Sequence, residues 1–160
     1  MEIREIKISI PDGYNIIVGQ SHFIKTVEDL YEALTTSSPT IKFGIAFCES
    51  SGKSLIRFDG NDNGCIDLAV NSANLIGAGH SFVIFLNGGF PINVLDRVKA
   101  VQEVVNIYVA TANQISIIIA ENETGRGILG VIDGVKPKGI EGPEDKKERE
   151  LFLRKVGYKR

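Results

Sequence analysis

His80 is the side chain in this sequence best placed to do chemistry. It stands between a glycine hinge, Gly77-Ala78-Gly79, and an apolar run, HSFVIFL, that reads as a buried strand. One side chain at such a junction can face a cleft. A neutral imidazole there can attack phosphorus or move a proton near pH 7. The competing reading is a strand-end histidine whose nitrogens are satisfied locally. His22, the second of the two histidines, sits just before a helix and has a stronger claim to local packing.

Other polar residues recur at glycine-punctuated junctions. Glu49-Ser50-Ser51-Gly52 follows one expected strand, Arg57 lies in the next, and Gly60-Asn61-Asp62 comes just beyond it. Asn87-Gly88-Gly89 follows the His80 strand, and Gly125-Arg126-Gly127 separates two apolar runs. Glycine lets a ligand approach the backbone, and successive free N–H groups can hold an anion. Arg57 and Arg126 carry planar forks suited to phosphate. Taken one at a time, each segment could equally be an ordinary turn.

Several familiar motifs fail. Gly52-Lys53-Ser54 looks like the end of a phosphate loop, but the glycine required five residues earlier is Phe47, and a strand follows instead of a helix. Gly77-Ala78-Gly79 begins like a dinucleotide fingerprint, but position 82 is Phe82. The histidines and the two cysteines, Cys48 and Cys65, show no metal-ligand spacing, so no metal site is assigned. A magnesium ion arriving with a phosphate donor would need only one or two carboxylates, from among Glu49, Asp59, Asp62 and Glu123.

These junctions need a scaffold. Residues 2–10 alternate, Pro11-Asp12-Gly13 is a turn signal, and 14–19 resume strand character, which predicts an opening hairpin. A helix capped by Thr26 runs to about 36 and stops at Ser37-Ser38-Pro39. Strands are expected at 41–48 and 54–58, then a helix over about 65–76 ended by Gly77. After the His80 strand, Pro91 opens a helix expected to reach about 105. Short strands follow at 106–110 and 114–120, with a last apolar segment at 128–132. The charged tail from Pro143 contains Leu151, Phe152 and Val156 and reads as a docked terminal helix. The interleaving of strands and helices predicts a single α/β domain over 1–160, with a mixed β-sheet and packed helices.

Composition narrows the function classes. The chain has 160 residues, 43% hydrophobic and 24% charged, with a formal net charge of -2. That balance argues against a generic nucleic-acid binder. The N-terminus alternates charged and apolar residues and does not read as a signal peptide. The longest apolar runs are far shorter than a membrane span. Two cysteines without a framework suggest reduced thiols and a cytoplasmic setting.

The segments F-C-E-S-S-G-K-S-L-I-R-F-D-G-N-D (47–62), G-A-G-H-S-F-V-I-F-L (77–86) and E-T-G-R-G-I-L-G-V-I-D-G-V-K-P-K-G-I-E (123–141) resemble recurring segments of the adenosine-specific kinase family, as does G-Q-S-H-F-I-K-T-V-E-D-L-Y-E-A-L (19–34). The resemblance covers nearly the whole chain in order. It implies a compact cytoplasmic α/β domain that binds adenosine or AMP and is often a homo-oligomer, with a trimer among the candidate states. In that setting Arg57 and Arg126 could hold phosphate oxygens, with Ser50, Ser51 and His22 nearby. Asp62 or Glu49 could accept the ribose hydroxyl proton or hold magnesium. Asn61 or Asn87 could bond the purine edge or the ribose. Two functions compete: an adenosine-directed phosphotransferase that passes phosphate through His80, and a non-catalytic adenosine or AMP sensor or carrier. A single pocket for all these loops requires the His80 strand to run opposite to some neighbours, or a second chain to complete it.

Overall fold

A computed structural model describes residues 1–160. Eight strands form two sheets. The five-stranded sheet has the order β4 (Ile56–Gly60), β3 (Lys42–Cys48), β5 (Ser81–Asn87), β2 (Tyr14–Ser21), β6 (Val104–Thr111). The three-stranded sheet has the order β1 (Glu2–Ile8), β7 (Ile115–Glu121), β8 (Arg126–Asp133). Helices α1 (Thr26–Thr35) and α3 (Pro91–Ala100) cover one face of the larger sheet. Helix α2 (Asn63–Ile76) and the smaller sheet cover the other. The α/β domain with packed helices is therefore present.

Its sheets are not mixed. Every adjacent pair of strands is antiparallel. The helical crossovers suggest parallel neighbours, and they do join parallel strands: β2–α1–β3, β4–α2–β5 and β5–α3–β6. In each case another strand lies between the two. β5 separates β2 from β3, β3 separates β4 from β5, and β2 separates β5 from β6. Sequence order shows the crossover but not the inserted strand.

The expected opening hairpin also gives way. The Pro11–Gly13 turn forms, with Tyr14 N–H donating to the Pro11 carbonyl at 3.1 Å and Gly13 at φ 83°. It carries the chain from one sheet to the other. β1 pairs with β7, whereas β2 lies between β5 and β6. Burial explains the choice. β1 alternates and buries only its Ile6–Ile8 side, as suits a sheet covered on one face. Asn15 to Gly19 of β2 are buried without alternation, as a central strand between two layers requires.

The two cores divide along the strands. Val83 and Phe85 of β5 join Ile16, Val18, Ala69, Ala73, Ile117 and Ile119 on the α2 side. Phe82, Ile84 and Leu86 join Leu30, Leu34, Phe43, Phe47, Val94 and Val98 on the α1–α3 side. Helix α3 stops at Ala100, short of the expected 105, because Val104 and Val105 belong to β6. Thr26 does not cap α1; its buried hydroxyl donates to Ser21 Oγ at 2.8 Å. Helix α4 (Pro143–Lys155) forms but is not docked on its own chain, and none of its residues is buried. No helix is long and apolar enough to cross a membrane.

Contact between α2 and the sheet depends on Gly44. A Cβ there would collide with the backbone of Cys65 and Ile66. Backbone cannot yield as a flexible side chain can, so Gly44→Ala should lower stability by at least about 2–3 kcal/mol, the upper range for overpacking. Denaturant unfolding of the two proteins, read by the shift in midpoint, checks this.

Candidate functional site

Antiparallel order brings the end of β3 beside the start of β5. His80 N–H donates to the Cys48 carbonyl at 2.8 Å, and the His80 carbonyl accepts from Ser21 N–H at 3.0 Å. These bonds hold His80 at φ 60°, a left-handed conformation that costs a non-glycine residue about 1–2 kcal/mol. Its imidazole stacks on Phe47, with centroids 5.8 Å apart and planes 17° apart. A strained residue fixed from both sides at a strand entry is characteristic of functional sites.

The loop after β3 closes tightly. Glu49 N–H donates to the Leu55 carbonyl at 3.0 Å, and Ser54 N–H to the Ser51 carbonyl at 3.1 Å. Gly52 and Ser54 take positive φ to make the turn. The Glu49 carboxylate accepts from Leu55 N–H at 3.0 Å and from Arg57 Nη2 at 3.0 Å. The Leu55 bond, with help from Arg57, holds Glu49 below the usual carboxylate range. Gly79 passes so close to this loop that a Cβ would lie 2.6 Å from Ser50 Oγ.

A cleft of about 510 Å³ opens between this loop, the end of α2 and the β7–β8 turn. That is the size of a small-molecule site. Its lining is mainly polar: Glu49, Ser50, Ser54, Asn74, Thr124 and Arg126 contribute, and Cys48 and Gly79 form the wall beside His80. Arg126 is fixed by Glu121 at 3.0 Å and donates through Nη1 to the Leu75 carbonyl at 3.1 Å, at the C-terminal end of α2. No hydrogen bond engages its other terminal nitrogen.

The expected residues therefore separate into two groups. Glu49, Ser50, Ser51, Arg57, His80, Arg126 and His22 lie at one end of the larger sheet or on the cleft beside it. Ser51 is exposed on the 49–55 loop. His22 is exposed, with its N–H donating to the Glu103 carbonyl at 3.2 Å. Asn61, Asp62 and Asn87 lie at the opposite end. β5 alone puts about 23 Å between His80 and Asn87. Asn61 spends both arms of its amide on backbone, accepting from Phe43 N–H at 2.8 Å and donating to the Ile41 carbonyl at 2.9 Å. Asn87 donates to the Gly13 carbonyl at 3.2 Å. Asp62 caps α2 by accepting from Cys65 N–H at 3.0 Å, and that bond holds its carboxyl below the ordinary value. Convergence of all the loops on one pocket is not what the chain achieves.

Three groups at the cleft end were not singled out from sequence. Asn74 and Thr124 could have been suspected only as polar residues beside Gly77 and Gly125. Glu103 gave no signal, since a glutamate within the helix expected to reach about 105 normally faces water. It is 2% exposed, neither carboxylate oxygen has a hydrogen-bond partner, and Lys25 Nζ lies 3.3 Å from Oε1. Asp29, 2.8 Å from the same ammonium, is held below its usual value chiefly by that lysine. No group of three or more His, Cys, Asp or Glu side chains comes together.

A polar cleft lies at one end of an antiparallel sheet with helices on both faces, which defines the chain as an α/β domain with one candidate ligand site there. The chain belongs to the adenosine-specific kinase family, whose sequence profile matches residues 6–159. It is also similar to a solved structure, the PH1918 protein from Pyrococcus horikoshii OT3. The identity is 46% over 99% of this chain and 98% of that one, with a TM-score of 0.95. No curated protein matches the chain.

Asp62 and Glu49 set an acid limit. Both carboxyls are depressed in the fold. Their stabilisation is complete above the unfolded values of roughly 4 and is lost as pH falls through the lower folded values. Thermal melts should therefore fall below about pH 4.5, and the Glu49→Gln/Asp62→Asn protein should show a flatter acid limb. Asp62→Ala should in addition cost about 1 kcal/mol at pH 7 through loss of the cap, with the cleft untouched.

Proposed function

We propose that the cleft beside His80 binds adenosine or AMP and that the chain is an adenosine-directed phosphotransferase. The family match over residues 6–159 carries this reading. The cleft supports it by offering hydroxyls, amides and a guanidinium with one uncommitted nitrogen. In this proposal Arg126 takes the phosphate. Ser50, Ser54 and Thr124 bond the remaining phosphate or ribose oxygens. Glu49, kept ionised by its neighbours, receives the ribose hydroxyl proton or holds a magnesium ion brought by the donor. Arg57 orients Glu49.

His80 is the proposed phosphoryl relay: one imidazole nitrogen attacks the donor phosphorus and displaces the remainder of the donor as its leaving group; the ribose hydroxyl, its proton passing to Glu49, then attacks that phosphorus and breaks its bond to the imidazole. The strain and hydrogen bonds at His80 favour a functional role. Its absence from the cleft lining favours a second reading, a non-catalytic adenosine or AMP sensor or carrier, in which His80 only shapes the wall. The cytoplasm is the proposed compartment, since both cysteines are unpaired and buried.

Incubating the protein with adenosine and a panel of phosphate donors should yield AMP. Absence of AMP with every donor, in protein shown calorimetrically to bind adenosine, overturns the enzyme reading and leaves the sensor. His80→Asn is the informative variant because asparagine tolerates positive φ; it should abolish turnover while retaining AMP binding. Arg126→Ala should weaken AMP about 10- to 100-fold more than adenosine, as loss of a charge-assisted bond predicts. Equal loss for both ligands would assign Arg126 to the support of α2 alone.

A further inference from the structure

The end of the larger sheet away from His80 carries a second hollow, of about 460 Å³. It lies between the Pro11–Gly13 turn, the Gly88-Gly89 turn and the start of α3, with Ala112 and Gln114 on its remaining side. Side-chain amides pin these walls. Gln114 accepts from Ile10 N–H at 3.0 Å and donates to the Ile10 carbonyl at 2.6 Å. Asn87 holds the Gly13 carbonyl, and Asn15 Nδ2 donates to the Gly89 carbonyl at 3.2 Å. Asn93 Oδ1 accepts from Phe90 N–H at 2.8 Å and fixes the start of α3. Walls held in this way are formed before a ligand arrives, as those of small-molecule sites usually are.

Asn15 points to what the hollow would take. It lies in β2 and is only 4% exposed. Its orientation is fixed, because only the NH2 end of an amide can donate to the Gly89 carbonyl. Oδ1 is then left without a donor from the chain, yet it is not sealed away from water. Asn15 borders the hollow, so the opening faces that space. A side-chain oxygen this deep without a donor is uncommon in a folded chain, and a donor from outside would complete it.

The other lining residues define the rest of the ligand. Asp12 adds an exposed carboxylate, and Phe90 adds an aromatic ring that is 58% exposed. No lysine, arginine or histidine lines the hollow. Its chemistry is therefore opposite to that of the cleft beside His80, where Arg126 offers a free nitrogen. A phosphate would meet a carboxylate here and no cation. A flat cation rich in N–H groups would bond Asn15 Oδ1 and Asp12 by charge-assisted hydrogen bonds and lie against the Phe90 face.

We propose that this hollow is a second ligand site, for a small flat organic cation of the amidine or aromatic-amine class. The site stands apart from the adenosine reading and does not depend on it. Benzamidine is the probe. Titrated into isotope-labelled protein and followed by NMR, it should move the Asn15 side-chain amide and the backbone amides of Gly13, Gly88 and Phe90, and the shifts should saturate. Benzoate has the same shape and the opposite charge, and it should leave these signals in place. AMP should also leave them in place; its own shifts, if the adenosine reading holds, fall at Ser50, Thr124 and Arg126, so the two readings fail separately. Asp12→Asn and Phe90→Ala, both at exposed positions, should each weaken benzamidine about 5-fold with unchanged circular dichroism. Benzoate or AMP moving the Asn15 and Gly88 signals as far as benzamidine does overturns the proposal. So do benzamidine shifts that never saturate or that spread over the whole surface, and so does undiminished benzamidine binding by both variants.

Discussion

Strand β5 is hydrogen-bonded along both edges and buried on both faces. Its first six residues, Ser81 to Leu86, are all buried. A strand so placed can expose no backbone N–H or carbonyl without a partner, because water cannot reach it. β2 and β3 must therefore both be present and in register, and α1, α2, α3 and the smaller sheet must cover the two faces. The rest of the architecture follows from satisfying this one strand. Its antiparallel pairing with β3 puts the start of β5 against the end of β3, which brings His80 to Glu49 and the serine loop.

The same order divides the polar loops. Each strand puts its start and its finish at opposite ends of the sheet, so residues that look alike in sequence go to opposite sides of the molecule. Glu49 and His80 share one end; Asn61, Asp62 and Asn87 share the other. At the far end the polar side chains close the fold. Asn61 ties the entry of β3 at Ile41 and Phe43 to the approach of α2, and Asp62 caps that helix. At the cleft end, hydroxyls and the free guanidinium nitrogen of Arg126 remain available. The Glu103 carbonyl anchors the turn that carries His22 by accepting from the His22 N–H.

The elements were legible where local chemistry fixes them. Gly77 ends α2 in the left-handed region, and the continuous apolar run after His80 is a strand buried on both faces. The tertiary pairing was not legible. A strand–helix–strand segment reads identically whether its strands are neighbours or enclose a third, and Pro11-Asp12-Gly13 reads identically whether it turns back or crosses between sheets. Candidate site residues divide between the two ends for a related reason. Asparagine and aspartate beside glycine serve a ligand and serve the backbone equally well, and only the fold decides. Glu103 and the undocked α4 failed in opposite senses. A charged residue expected in water was buried, and an apolar stripe expected against its own domain was left exposed.

The interleaved strand order also governs how the chain can acquire its shape. Within the larger sheet only β3 and β4 are neighbours both in sequence and in space. Every other pairing there joins strands separated by a helix or by a long stretch of chain. Early, cheap contacts are thus limited to that hairpin, to β7–β8 and to individual turns of helix. β5 emerges from the ribosome after β2 and β3 and must insert between them, an event that closes two large loops at once. Until Thr111 has been synthesised, β2 has an open edge beside strongly apolar sequence. Such a topology folds slowly and as a whole. The nascent chain would be most vulnerable to association with other chains in the interval between the appearance of β2 and the arrival of β6.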